Sequence, residues 1–137
     1  MSRFLPLLLL ATQLFAFEFK YEYKHTFVLK KDEVATINIV KKEGKDKQSI
    51  YFRWTLFAND RLVLLLNYDS FPRQYILQKR YKRDRVRIYL RDDYKNIYDR
   101  SYLVLKFREF DKKSAKIEAD ISDKEKVLDI KFIDPKK

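Results

Sequence analysis

"FEFKYEYKHTFVL", residues 17–29, decides the reading of the whole chain. Phe17, Phe19, Tyr21, Tyr23, Phe27 and Leu29 are apolar, while Glu18, Lys20, Glu22 and Lys24 fall between them. A period of two is what a β-strand presents and an α-helix cannot. The stretch therefore reads as a half-buried opening strand, with a break allowed near His25.

The same alternation recurs outward from it. In "EVATINIV", Ala35, Ile37 and Ile39 alternate with Thr36 and Asn38, and "KKEGKDK" forms the next turn. "SIYFRWTLF" places Ile50, Phe52, Trp54 and Leu56 on one face, with Tyr51, Arg53 and Phe57 opposite. Asn59-Asp60 is a two-residue hairpin signal. "RLVLLLNY" is apolar on both faces and reads as a central strand, and "DSFPR" breaks the pattern. "QYILQKRY" and "RVRIYLR" flank Lys82–Asp84 as a further hairpin. Leu103, Leu105 and Phe107 share a face of "SYLVLKFREF", and Ala115, Ile117, Ala119 and Ile121 alternate with Lys116, Glu118 and Asp120. Leu128, Ile130 and Phe132 close the series.

Eight or nine short strands with regular turns predict an all-β protein, an antiparallel β-sandwich over residues 17–137. Trp54 on an early strand and "DRSY" (99–102) opening a late one give an architectural likeness to immunoglobulin-like sandwiches; a jelly-roll-like sandwich has a similar strand count. An outer-membrane barrel fits poorly, because its lipid face needs an apolar band and these strands carry Lys and Arg at alternate positions.

Composition agrees. The 137 residues are one domain's worth, and 46% are hydrophobic, which argues against disorder. Eleven Phe, ten Tyr and one Trp favour strands. With a single glycine, Gly44, tight turns must use Asn, Asp and Lys even where φ is positive. The absence of cysteine excludes disulfides, thiolate nucleophiles and Cys-ligated zinc.

"MSRFLPLLLLATQLFA", residues 1–16, has one positive side chain, Arg3, then an apolar run too short to span a bilayer. Ala16 is a small residue at a cleavage position, although Leu14 is bulkier than usual two residues before it. The segment reads as a signal peptide, and the expected destination is the periplasm or the exterior.

The net charge is +11. The densest positive stretch is "KRYKRDRVRIYLR" (79–91), where Lys79, Arg80, Lys82, Arg83, Arg85, Arg87 and Arg91 meet one acid, Asp84. On a strand, Arg85, Arg87, Tyr89 and Arg91 share one face while Val86, Ile88 and Leu90 point inward. Such a basic stripe suits phosphate or carboxylate, since each guanidinium offers a bidentate fork. The bland reading is a solvated face with charges paired across strands by Asp92, Asp93 or Glu109. Tyr75, Tyr81 and Tyr89 near the stripe also allow base stacking, so a single-stranded nucleic-acid binder is the alternative if residues 1–16 are not a leader.

Catalytic signals are weak. His25 is the only histidine, and no serine sits in a nucleophile-elbow context. Asp92, Asp93 and Asp99 are the carboxylates of a possible hydrolase, without a nameable substrate. "DDYKNIYD" lacks the spacing and glycine of an EF-hand loop, and no glycine-rich phosphate loop can be built. The expectation is a non-enzymatic envelope protein without a cofactor. Its expected partners are lipopolysaccharide, phospholipid headgroups or an envelope protein.

Overall fold

The computed structural model describes residues 20–44, 46–91 and 100–136. It contains nine strands: β1 (Tyr23–Lys30), β2 (Ala35–Lys41), β3 (Lys47–Ala58), β4 (Arg61–Tyr68), β5 (Phe71–Gln78), β6 (Arg85–Tyr89), β7 (Tyr102–Asp111), β8 (Ser114–Ser122) and β9 (Leu128–Ile133). They form two antiparallel sheets, ordered β1-β8-β7-β6 and β5-β4-β3-β2-β9. The expected all-β sandwich is what the chain builds. Its neighbours are mostly sequential hairpins, so the likeness to immunoglobulin sandwiches stops at two packed sheets around a central Trp. Among the described residues, no helix is long and apolar enough to cross a membrane.

The alternating residues pack between the sheets. Phe27 and Leu29 of β1, Ile117 and Ile121 of β8 and Leu103 and Leu105 of β7 are buried against Ile37, Ile50, Phe52, Leu62 and Leu64 of the facing sheet. β4 lies between β3 and β5, the interior position its two apolar faces predict. β1 runs unbroken through His25, whose ring stacks on Phe132 at 5.0 Å and whose Nε2 lies 3.0 Å from Asp134 Oδ1. Tyr23 donates its hydroxyl to the Leu128 carbonyl at 2.6 Å. Side chains thus close the seam between β1 and β9, which are edges of different sheets.

Three expectations change. Phe71–Arg73 belongs to β5, although Pro72 signals a break; β5 is a sheet edge, where a missing N–H costs no ladder bond. Lys82–Asp84 does not close a hairpin. The chain instead turns a corner from one sheet to the other through a short 3-10 turn, Arg80–Lys82, held by the Gln78 N–H on the Arg83 carbonyl at 2.8 Å. Finally, Leu56 and Phe57 exchange faces. A β-bulge between Trp54 and Leu56 inserts one residue, which leaves Leu56 55% exposed and turns Phe57 toward the core.

Ten described residues other than glycine have positive φ, among them the pairs Asn59-Asp60, Asp69-Ser70 and Lys112-Lys113. Two-residue hairpins need this conformation to match strand twist. Gly44, the only glycine, does not have it. The turns therefore do rely on Asn, Asp and Lys.

Candidate functional site

Because every neighbouring strand pair is antiparallel and β1 passes to β2 by a short turn, the connections after β1, β3, β5 and β7 lie at one end of the sandwich. The β5–β6 corner belongs to that end. Lys79, Arg80, Lys82 and Arg83 are all exposed there, and none forms an ion pair with a described residue.

From the corner the chain enters β6, the edge of the four-stranded sheet. Val86 is half-buried and Ile88 and Leu90 are buried, while Arg85, Arg87 and Tyr89 face solvent. Arg85 is paired with its neighbour, Nε to Asp84 Oδ1 at 3.0 Å, and lies opposite Lys106 of β7, a like charge. The Arg87 guanidinium lies 4.3 Å from the centre of the Tyr102 ring. A hydrogen bond with Tyr89 raises its pKa, against a smaller opposing effect of burial.

Arg91 leaves the row. It lies beyond β6, and its guanidinium is paired with Asp69 of the β4–β5 turn, in the other sheet. Its backbone N–H donates to Tyr68 Oη at 2.8 Å and its carbonyl accepts from Gln48 Nε2 at 2.7 Å. Tyr68 in turn donates to Gln48 Oε1. This network ties the two sheets together, which makes Arg91 a fastening rather than part of the solvent stripe. Asp92, Asp93 and Asp99 lie outside the described residues.

The sequence reading missed the groups that surround Arg87. Tyr21 precedes β1, so it escapes the strand's alternation and packs on the outer face, edge-on to Tyr102 at 6.3 Å. Tyr102 in turn meets Tyr89 at 6.1 Å. Arg100 lies 5.1 Å over Tyr89 and Lys24 lies 5.9 Å over Tyr21. Cations over ring faces are held electrostatically. Burial raises the Tyr21 pKa, with further contributions from Tyr102 and Asp120.

Asp120 sits among these groups. Alternation along β8 assigns it to solvent, yet it is 5% exposed, opposite Lys24 on one side and Val104 on the other. One oxygen, Oδ1, has no hydrogen-bond donor. Burial and the neighbouring Glu118 push its pKa up to about 6, against the pull of Lys24 and Lys106. Below about pH 4 the carboxyl is protonated folded or unfolded. Between about 4 and 6 the unfolded chain releases the proton first, so stability falls as pH rises. Asp120→Asn should leave stability unchanged near pH 4 and raise it by about 1–2 kcal/mol at pH 7.5. Urea unfolding at the two pH values checks this; equal effects at both would remove the carboxyl as the cause.

No family model, no curated protein and no solved structure matches the chain.

Proposed function

We propose that the protein is an exported, non-enzymatic binding protein of the cell envelope that captures anionic surfaces through the Lys79–Arg83 corner and the adjoining Arg85 and Arg87. The observation that carries this reading is the corner itself, where four exposed cations lack ion-pair partners among the described residues. A solvated strand face with balanced charges would be neutralised across the ladder. Here Arg85 is held by Asp84, and Lys106 opposite it faces Glu118 on β8, so the unbalanced charge is that of the corner. Phosphate-bearing lipid headgroups, including those of lipopolysaccharide, match a surface of this kind. Export rests on residues 1–16.

The nucleic-acid alternative is weaker on geometry. Of the three tyrosines near the stripe, Tyr89 meets Tyr102 edge to face with Arg100 over its ring, Tyr75 is half-buried, and Tyr81, 83% exposed at the corner, is a single ring rather than a platform for successive bases.

Sedimentation with vesicles containing phosphatidylglycerol tests the proposal. Binding should fall steeply between 50 and 300 mM salt, because surface charges are screened over about 8 Å at physiological ionic strength. Each cation near an anionic surface contributes about 1 kcal/mol, so Arg80→Ala with Arg83→Ala should weaken binding by about thirty-fold. Unchanged binding would remove the corner from the mechanism. Recovery from the host cytoplasm with Met1 in place, together with retention on single-stranded DNA, would favour the alternative.

A further inference from the structure

A second feature lies at the same end of the sandwich and uses different residues. Each sheet carries a β-bulge there. One falls between Trp54 and Leu56 in β3, the other between Phe107 and Glu109 in β7. Each bulge inserts one residue and so reverses which side chains point inward beyond it. The two residues re-aimed in this way, Phe57 and Phe110, meet across the sandwich as a stacked pair, with centroids 4.0 Å apart and planes inclined by 13°. Trp54 packs edge-on to Phe110 at 5.4 Å.

Beside these rings is an open cleft of about 630 Å³, lined by Phe57 and Phe110, by the edge of the buried Trp54 and by the exposed Leu56. Ligand sites commonly fall in the range of about 300–1,000 Å³, are mostly apolar, and occur in the mouths of β-barrels. The rim of this cleft is cationic. Lys30 and Lys31 approach it from the β1–β2 turn, and Lys112 and Lys113 from the β7–β8 hairpin. All four are exposed, and none forms an ion pair with a described residue. The acids of these turns are engaged or peripheral. Asp32 faces Arg53 at 3.9 Å, Glu33 accepts the Lys30 backbone N–H, and Asp111 is exposed at the end of β7 outside the cleft lining.

Two of the four lysines form a tight hairpin. Lys112 and Lys113 have φ of 49° and 64°. Asn-Gly occupies such positions at little cost, whereas lysine is strained there. The turn that joins β7 to β8 thus sets both lysines in the lining of the cleft.

We propose that this cleft binds a single-chain anionic amphiphile. Its alkyl chain lies along Phe57, Phe110 and Leu56, beside the edge of Trp54, and its carboxylate or phosphate head is held by the four lysines. The site is separate from the corner of the proposed function, and either can fail without the other.

Trp54 is the only tryptophan in the chain, so its fluorescence reports on the cleft. The purified protein would be titrated with dodecyl phosphate below its micelle concentration. Butyl phosphate tests the need for the chain, and dodecyltrimethylammonium the need for the negative head. The expected result is a saturable change with dodecyl phosphate at one molecule per protein, and affinity at least tenfold lower for each comparison compound. Lys112→Gln with Lys113→Gln, and separately Leu56→Ser at an exposed position, should each weaken dodecyl phosphate binding at least fivefold. Arg80→Ala with Arg83→Ala should leave it unchanged. Equal responses to the phosphate and ammonium amphiphiles, wild-type affinity in the lysine variant, or a response to vesicles alone would overturn the proposal.

Discussion

Asp123→Ala should lower the unfolding free energy by about 3–5 kcal/mol, measured by urea denaturation. Asp123 is fully buried in the connection between β8 and β9. Its carboxylate accepts the backbone N–H groups of Val127 at 3.2 Å and Leu128 at 3.0 Å, with Ser101 Oγ at 3.5 Å. Its own N–H donates to Glu22 Oε1 at 3.1 Å. Alanine would leave the two backbone donors without this acceptor, at about 1–3 kcal/mol each, besides losing bonds to a charged group. Leu128 is the first residue of β9, so the loss falls where the last strand enters its sheet. Asp123→Asn keeps the size but sets an amide NH₂ against N–H donors, and should recover at most half of the stability. A loss below 1 kcal/mol for the alanine variant would mean that water replaces the carboxylate.

Trp54 is the second position of large effect. It is 4% exposed, and its Nε1–H donates to the Leu29 carbonyl of the opposite sheet at 2.8 Å. Its own carbonyl accepts the Asp32 N–H at 3.0 Å in the turn that joins the sheets. Trp54→Ala should cost about 3–5 kcal/mol through the cavity it leaves. Trp54→Phe fills much of that space but deprives a buried carbonyl of its donor, and should cost about 1–3 kcal/mol. Thermal unfolding followed by circular dichroism separates the two. Equal losses would show that the cross-sheet hydrogen bond carries the effect, and that the cavity left by alanine contributes little.

Most of the fold was legible because burial in a sandwich follows the period of the strand. Ala115, Ile117, Ala119 and Ile121 needed only alternation to be placed in the core, and they are buried there. Two of the failures share a cause: they occur where alternation is interrupted. One inserted residue in β3 reverses Leu56 and Phe57, and nothing in "SIYFRWTLF" announces it. Tyr21 lies outside β1, so the pattern it shares with Tyr23 does not bind it to the same face.

The basic stretch was legible as composition and only partly as geometry. Arg85, Arg87 and Tyr89 do share a solvent face, as an edge strand requires. Arg91 does not, because Asp69 and Tyr68 meet it from the other sheet, and such pairing across the sandwich carries no local signal. Asp120 was hidden for the complementary reason: a carboxylate at a solvent-facing position reads as exposed until neighbours on other strands cover it.

The placement of the terminal strands has a kinetic consequence. Strands β2 to β5 and β6 to β8 pair with their sequence neighbours, and such contacts can form early. β1 cannot, because its ladder joins Tyr23 to Ile121; nor can β9, whose ladder joins Phe132 to Ile37. Ladders spanning most of the chain pay their loop-closure entropy only once the intervening strands are in place. The two ends of the polypeptide therefore dock last, against a meander that already exists. Until they do, β8 and β2 expose unpaired edges, and this is the interval in which the folding chain is most open to association with other strands.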